Sequence, residues 1–261
     1  MDLYQFVAQH LLVFLLVLAR ISGLFVMAPV FSNRNIPVQV KAGLAALLSL
    51  ILVSTLNLDY RLPADSLLPL ILTAAAEFIT GLVIGFAAQL IFAAVQAAGE
   101  GTDMQMGFGI VNVVDPLFGT QVPLIGNFKL LLALLVYLEV NGHHLLLVAL
   151  RESYLLIPIG GLNWRGSVTA TLLELFTGMF ILALKIMFPV VGGLLVVEIA
   201  LGLLARAVPQ MNVFIVGLTA KVGAGLILLL FFLPVYVYFT QFLVEHSYQD
   251  VLRAMRVMAG K

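Results

Sequence analysis

Residues 67–98 read LLPLILTAAAEFITGLVIGFAAQLIFAAVQAA, an apolar run in which Glu77 is the only charged residue. A helix needs roughly 20 apolar residues to cross the hydrocarbon core of a bilayer, and this run exceeds that length. Five more apolar runs occur in the chain, at residues 3–31, 42–58, 124–138, 168–205 and 213–244. The pattern predicts a polytopic, all-α membrane protein that forms one compact helical domain.

The composition supports this fold class and excludes several others. Hydrophobic residues make up 62% of the chain and charged residues 10%, which is more apolar than a soluble domain of this length. The runs are continuous, whereas the strands of a membrane barrel alternate apolar and polar residues. A net charge of zero without a basic tract argues against a nucleic-acid partner. The absence of cysteine excludes disulfides, thiolate metal sites and thiol nucleophiles.

The ends and interruptions of the runs predict how the helices are divided. The opening MDLYQFVAQH lacks the cationic leader and cleavage site of a signal peptide, so we expect the first run to persist and to enter the inner membrane uncleaved. Segments rich in Pro, Gly, Asn or charge separate the runs. Pro189, Gly192 and Gly193 lie inside the run 168–205 and favour a broken or paired helix there.

The charged loops do not fit a simple serpentine topology. Placing Arg34 and Lys41 in the cytoplasm, with six alternating spans, also places the acidic segment 99–123 there and the tail with Arg253 and Arg256 outside. The opposite orientation corrects the tail but misplaces the first loop and the loop with Arg206. We therefore expect some apolar runs not to span the bilayer.

Ionisable residues also lie within the apolar runs, where a lipid-facing charge costs a few kcal/mol. Lys129 and Glu174 are expected to snorkel to the interface, while Arg20, Glu77, Glu198 and Lys221 lie deeper. The deeper residues predict buried pairs inside a helical bundle or contacts with partner subunits. The sequence alone does not match the partners.

No motif indicates catalysis. The chain has no GxxxxGK[ST] phosphate loop, no HExxH and no GxSxG, and GFGIVN lacks the third glycine of a dinucleotide fingerprint. His143 and His144 follow Glu139, but Gly142 interrupts the segment and no further metal ligand is near, which favours a polar turn over a metal site. We expect a non-enzymatic protein with no metal and no cofactor.

The segment 99–123 is an unusual loop between two apolar runs. Its first part, residues 99–109, combines Gly99, Gly101, Gly107 and Gly109 with the adaptable side chains Met104, Met106 and Phe108. An apolar stretch, IVNVV at 110–114, follows, and the turn signal DPLFGTQ comes after it. Irregular backbone at membrane depth occurs where it is buried in protein or lines a cavity. With the misplaced charges, this favours a plug that closes a pore.

Three segments, in this order along the chain, resemble the FliR family of type III export-gate proteins. They are RISGLFVMAPVF at 20–31, AGEGTDMQMGFGIVNVVDP at 98–116 and LLARAVPQMNVFIVGLTAKVGAGL at 203–226. The resemblance extends over essentially the whole chain, and the form ARAVPQMNVF is more similar to the flagellar branch than to the virulence branch. It implies a subunit without enzymatic activity in a hetero-oligomeric helical gate, with broken helices and hairpins.

The resemblance also implies partners and sites. The partners would be FliP, FliQ and FlhB and, transiently, unfolded export substrates, at the inner membrane of the flagellar basal body. Residues 1–188 would be a FliP-like part and 189–261 a FliQ-like helical hairpin, and the assembly would sit largely above the bilayer plane. The plug loop would comprise Gly107, Phe108, Gly109, Ile110, Val111, Asn112, Val113, Val114, Asp115, Pro116, Leu117, Phe118 and Gly119. Other expected sites are Met104 and Met106, which face the pore or pack, and the buried or subunit-contacting charges Arg20, Glu77, Glu198, Arg206 and Lys221.

The predicted function is therefore a passage for unfolded flagellar subunits that this chain helps to form and that its loop blocks at rest. Two alternatives stay open: a virulence type III secretion gate subunit, and a small-solute secondary transporter, which would also have broken helices and buried charges. Matching hydropathy in the two halves would favour a transporter, and the sequence shows none. An intramembrane enzyme would need a nucleophile and a base that the sequence does not offer.

Overall fold

The computed structural model describes residues 3–33, 35–56, 67–109 and 123–260. These residues form no strand, and their seven α-helices are α1 (Leu3–Met27), α2 (Val38–Thr55), α3 (Leu67–Met106), α4 (Leu124–Glu139), α5 (Gly142–Leu156), α6 (Gly166–Ala207) and α7 (Val213–Met258). Five of these helices are long and apolar enough to cross a membrane, or six spans result if α4 and α5 count as one broken span. The prediction of an all-α polytopic membrane protein is confirmed.

The helices differ from the predicted runs at several places. α3 continues to Met106, so residues 99–106, which we predicted to be loop, are helical. α5 is absent from the predicted runs because Arg151 and Glu152 interrupt its apolar sequence. α6 is one helix through Pro189, where we predicted a break. A proline is tolerated in a membrane helix where packing supports its neighbours, and Val190, the next residue, is buried.

The chain divides into two compact units. Unit 1 contains residues 1–90, 141–176 and 245–261, and unit 2 contains residues 91–140 and 177–244. Each of the long helices α3, α6 and α7 contributes residues to both units. None of these boundaries falls at residue 188, and the division into FliP-like and FliQ-like parts stays a prediction.

Unit 1 is built around the fully buried face of α1, which packs against α2 and α3. α3 approaches α1 backbone to backbone, because a Cβ atom at Gly81 would run into the carbonyl group of Arg20. One turn further, a Cβ atom at Gly85 would lie 2.7 Å from the carbonyl oxygen of Leu24. The small-xxx-small spacing of these glycines therefore serves packing of α3 against α1.

Unit 2 has its own core where α3, α4, α6 and α7 meet. Met106, Ile125, Val190 and Leu194 are buried together there, and partly buried side chains of α7 pack around them. This cluster lies at the C-terminal end of α3 and the N-terminal end of α4. It therefore supports the two ends of the segment that the sequence marks as a plug.

Candidate functional site

α3 ends in a cap that starts the candidate plug loop. The backbone N–H of Phe108 donates to the carbonyl oxygen of Asp103 at 3.1 Å, and the N–H of Gly107 donates to that of Met104 at 3.2 Å. These two bonds form a Schellman motif, in which the residue after the helix adopts a left-handed conformation. Gly107 has a φ of 93°, which strains any residue with a side chain. The glycine is thus required for the helix to stop at this residue.

Asp103 holds the other end of the loop. Its two carboxylate oxygens accept hydrogen bonds from the backbone N–H groups of Ile125 and Gly126, each at 3.0 Å. These groups lie in the first turn of α4, where no helical carbonyl precedes them, and Pro123 at the N-cap supplies no side-chain bond. The helix dipole further favours a carboxylate at this position. Asp103 is buried and caps α4 from the neighbouring helix.

A close backbone approach reinforces the base of the loop, by which we mean residues 103–109 at the end of α3 and 123–126 at the start of α4. A Cβ atom at Gly99 would run into the Cα atom of Gly126, so α3 and α4 touch without side chains between them. Of the predicted plug residues, Gly107, Phe108 and Gly109 lie on this base, and Phe108 packs against the core of unit 2. The other predicted plug residues, Ile110 to Gly119, lie outside the described residues. The end of α3 and the start of α4, which flank residues 110–122 in the sequence, are therefore held next to each other.

The two methionines before the loop have different surroundings. Met106 is fully buried in the core of unit 2, whereas Met104, half a turn away, is exposed. Met104 lines a cleft of about 610 Å³ in unit 2 together with Gly107 and Gly109. One methionine thus anchors the end of α3 and the other faces open space beside the loop.

Glu198 and Lys221 lie together on the wall of this cleft. The Nζ atom of Lys221 is 2.8 Å from Oε1 of Glu198, and Nε2 of Gln105 donates to Oε2 of Glu198 at 3.1 Å. The Glu198 side chain is 50% exposed and that of Lys221 is 23% exposed. The pair therefore remains open to a surface of the chain, beside the base of the loop.

Arg20 and Glu77 form a different kind of pair in unit 1. Nε of Arg20 donates to Glu77 Oε2 at 2.7 Å, and both side chains are buried. The other guanidinium nitrogens donate to Ser153 Oγ and to the carbonyl oxygen of Ile157, each at 3.0 Å. The guanidinium carbon lies 4.1 Å from the centroid of the Tyr154 ring, which adds a cation–π contact.

The remaining oxygen of Glu77 completes the network. Oε1 of Glu77 accepts a hydrogen bond from the backbone N–H of Gly160 at 3.0 Å. Each charged group of the pair is thus bonded to a second element, which is the condition for a stable buried ion pair. The network joins α1, α3, α5 and the loop after α5.

Three further charged residues from the sequence analysis, Arg206, Glu174 and Lys129, differ in their exposure. Arg206 is exposed in the chain. Glu174 is also exposed and accepts from Arg253 at 2.8 Å. Lys129 is buried, contrary to the expected snorkelling, because the Tyr236 hydroxyl holds its backbone and α7 covers its side chain.

Sequence reasoning missed Asp103, Ser153 and Gly160 as site residues. The partners of Asp103 lie 22 and 23 residues away, across the loop, and those of Arg20 lie 57 to 137 residues away. No sequence signal marks Asp103 as a cap of α4, because capping residues are recognised directly before a helix and Asp103 lies on another helix. Ser153 and the backbone of Gly160 carry no sequence signal.

The described residues contain no cluster of side chains that could bind a metal ion. The rings of His143 and His144 lie 4.2 Å apart between centroids. No group of three or more His, Asp or Glu side chains among the described residues could hold a metal ion. The chemistry available at the cleft and at the loop base is hydrogen bonding, ion pairing and apolar contact.

Comparison with known proteins shows that the sequence of this chain is similar to those of bacterial export proteins. The family model described as "Bacterial export proteins, family 1" matches residues 11–247. The chain is 43% identical to the flagellar biosynthetic protein FliR of Bacillus subtilis over 220 residues, which cover 83% of this chain and 84% of the relative. It is 31% identical to FliR of Escherichia coli over 91% of this chain and 89% of the relative. It is also 31% identical to the surface presentation of antigens protein SpaR of Salmonella typhimurium, over 83% of this chain and 81% of the relative.

Proposed function

The chain belongs to the FliR family of bacterial export proteins, which are non-enzymatic subunits of the type III export apparatus, and from this premise we propose its place in that apparatus. With FliP and FliQ it forms the inner-membrane channel that unfolded flagellar subunits cross, and it contacts FlhB. Its residues 1–188 take the FliP-like position and residues 189–261 the FliQ-like position. Its loop 107–119 blocks the channel at rest.

The exposed apolar surface of the long helices supports a position inside a larger assembly. Within the chain, 6% of an apolar 18-residue segment of α7 is buried and 22% of the corresponding segment of α6, compared with 67% for α3. The unburied faces carry large aromatic side chains such as Phe188, Phe231 and Tyr238. Lipid or neighbouring subunits must cover surfaces of this size. Coverage by subunits also accounts for loop charges that do not fit a serpentine topology.

The anchored base of the loop supports the plug. A stopper has to be displaced by a passing polypeptide without loss of the surrounding structure. Asp103 and the Schellman cap at Gly107 hold the two flanks through contacts that involve none of the residues 110–114. In this proposal the plug is displaced during export while these contacts keep its flanks in place.

The flagellar apparatus is favoured over a virulence apparatus. The chain is 43% identical to the Bacillus subtilis flagellar relative and 31% identical to SpaR. Expression in a non-swimming strain that lacks its own flagellar relative distinguishes the two. Restored swimming supports the flagellar assignment, and failure to swim with an intact complex counts against it.

The decisive test of the plug deletes residues 110–114 and measures the leak of small solutes across the inner membrane. We expect the complex with FliP and FliQ to form and the resting leak to rise, because the stopper is missing while its flanks remain. Since the chain has no cysteine, Val111→Cys offers a single cross-linking site, and it should react with a stalled export substrate. An intact complex that stays as tight as the wild type, with residue 111 never reaching substrate, would show that the loop is a docking surface.

A further inference from the structure

A second, smaller pocket in unit 2 contains two lysines in an apolar wall. It has a volume of about 200 Å³ and lies between α4, α6 and α7. Aromatic side chains, including Phe128, Phe232 and Phe239, form much of its lining. Lys129 enters from α4 and Lys185 from α6. Two cations in such a wall are unexpected, because apolar surroundings disfavour charge.

Lys129 is the cation that this pocket buries. Its exposure is 4%, whereas Lys185 is exposed. The hydroxyl group of Tyr236 donates to the carbonyl oxygen of Lys129 at 2.7 Å, and the Nζ atom lies 5.9 Å from the centroid of the Tyr236 ring. Tyr236 of α7 thus holds the backbone of Lys129 at the pocket, and its ring lies near the ammonium group.

No carboxylate among the described residues pairs with Lys129. The ion pairs Arg20–Glu77, Lys221–Glu198 and Arg253–Glu174 do not include it. Asp103 is a charged neighbour of Lys129, but its oxygens bond to backbone N–H groups at the start of α4 and form no ion pair with the ammonium group. A cation–π contact near the 6 Å limit compensates little of the loss of hydration. Among the described residues, the ammonium group of Lys129 therefore has no ion-pair partner.

We propose that this pocket receives an acidic side chain, Asp or Glu, carried on an apolar helix of another subunit of the export apparatus. The proposal rests on the assembly described above and identifies one of its contact points. The volume is below the roughly 300 Å³ at which small-molecule pockets begin, and so fits a side chain better than a whole ligand. The exposed apolar side chains of Phe128 and Val235 line the same pocket and would be covered by the helix that carries the acid.

The energetic consequence differs between the isolated chain and the complex. In the isolated chain Lys129 is buried and forms no ion pair with a described carboxylate, so an apolar replacement of similar length should be neutral or stabilising. In the complex the same replacement removes one partner of a buried pair and leaves the acid of the other subunit uncompensated. Opposite effects in the two states therefore distinguish a docking residue from a residue that only supports the fold.

The test compares Lys129→Met with Lys185→Met, which changes the exposed lysine of the same pocket. For Lys129→Met we expect an unchanged or higher unfolding temperature of the detergent-solubilised full chain, and at least about a tenfold loss of complex co-purified from membranes. For Lys185→Met we expect less than about a twofold change in complex yield. A lower unfolding temperature of the Lys129→Met chain, or wild-type yield of its complex, would overturn the proposal.

A photo-cross-linker at position 235 identifies the occupant. In the assembled apparatus, p-benzoylphenylalanine in place of Val235 should link to a helix of another subunit within about one turn of an Asp or Glu. A lipid adduct or a link within the same chain would contradict the proposal. Exchanging the charges, with Lys129→Glu in this chain and Lys in place of the identified acid, should restore the complex that either single change reduces. A wild-type chain that assembles with no other subunit would instead refute the proposed function.

Discussion

The ion pairs Arg20–Glu77 in unit 1 and Lys221–Glu198 in unit 2 have the same chemistry and almost opposite surroundings. The first pair is buried; Arg20 also donates to Ser153 Oγ and to the carbonyl oxygen of Ile157, and Glu77 also accepts from the N–H of Gly160. The second is partly exposed on a cleft beside the loop base and has Gln105 as one additional neighbour. A charge in an apolar run can therefore hold the fold together or remain available at a surface. The number of its hydrogen-bond partners within the chain distinguishes the two uses.

The largest expected effect comes from breaking the buried pair. Arg20→Leu leaves Glu77 charged and buried with one remaining donor, Gly160, and should cost about 3–5 kcal/mol of stability. Thermal unfolding of the full chain in detergent measures this. The double change Arg20→Leu with Glu77→Leu should recover part of the loss, because no uncompensated charge remains. A stable single variant would show that the network does not hold unit 1 together.

An intermediate effect is expected at the base of the loop. Asp103→Ala leaves two N–H groups at the start of α4 without acceptors and should cost about 1–2 kcal/mol. If the proposed plug is correct, the resting leak of the assembled channel should also rise, because one flank of the loop loses its anchor. Glu100→Ala is the matched control, since Glu100 bonds to Gln96 on its own helix. Equal stability and equal leak in the two variants would remove Asp103 from the site.

The smallest effect on the isolated chain is expected for the exposed pair. Glu198→Leu or Lys221→Leu should change its stability by about 1 kcal/mol or less, because partly exposed ion pairs contribute little. Assembly or swimming should nevertheless suffer more than with Arg256→Leu, which replaces an exposed charge at the end of α7. Wild-type yield of the complex and wild-type swimming for both variants would contradict a role of Glu198 and Lys221 in contact with another subunit.

Much of the helical fold could be predicted from the sequence, since continuous apolar runs and polar interruptions are local signals. The prediction of helix boundaries failed where tertiary contacts override a local signal. Gly99 and Gly101 favour a loop, and each costs about 1 kcal/mol in a helix relative to alanine. In the fold, Gly99 allows contact with the backbone of Gly126, and Gly101 faces the side chain of Met187. These contacts favour continuation of α3 to Met106.

The site was less predictable, because its geometry joins distant parts of the chain. The sequence identified Arg20 and Glu77 as charges that need partners, yet the pairing and the other ligands depend on how α1, α3 and α5 meet. The sequence also identified a special loop at residue 107 but not Asp103, whose role depends on the position of α4. The prediction that Lys129 snorkels to the interface was wrong. It was based on the position of Lys129 in an apolar run, which gives no information on the α7 residues that cover its side chain.

The long sequence separations within the Arg20 network also have a consequence for biosynthesis. Arg20 bonds to a carbonyl oxygen 137 residues later, and Glu77 bonds to an N–H group 83 residues later. At about 5–20 residues per second, the ribosome needs on the order of ten seconds to supply these partners. During that interval α1 and α3 contain polar groups that lipid cannot satisfy. We therefore expect the nascent chain to remain beside the insertion machinery until α5 and Gly160 have emerged, with release into the bilayer following completion of the network.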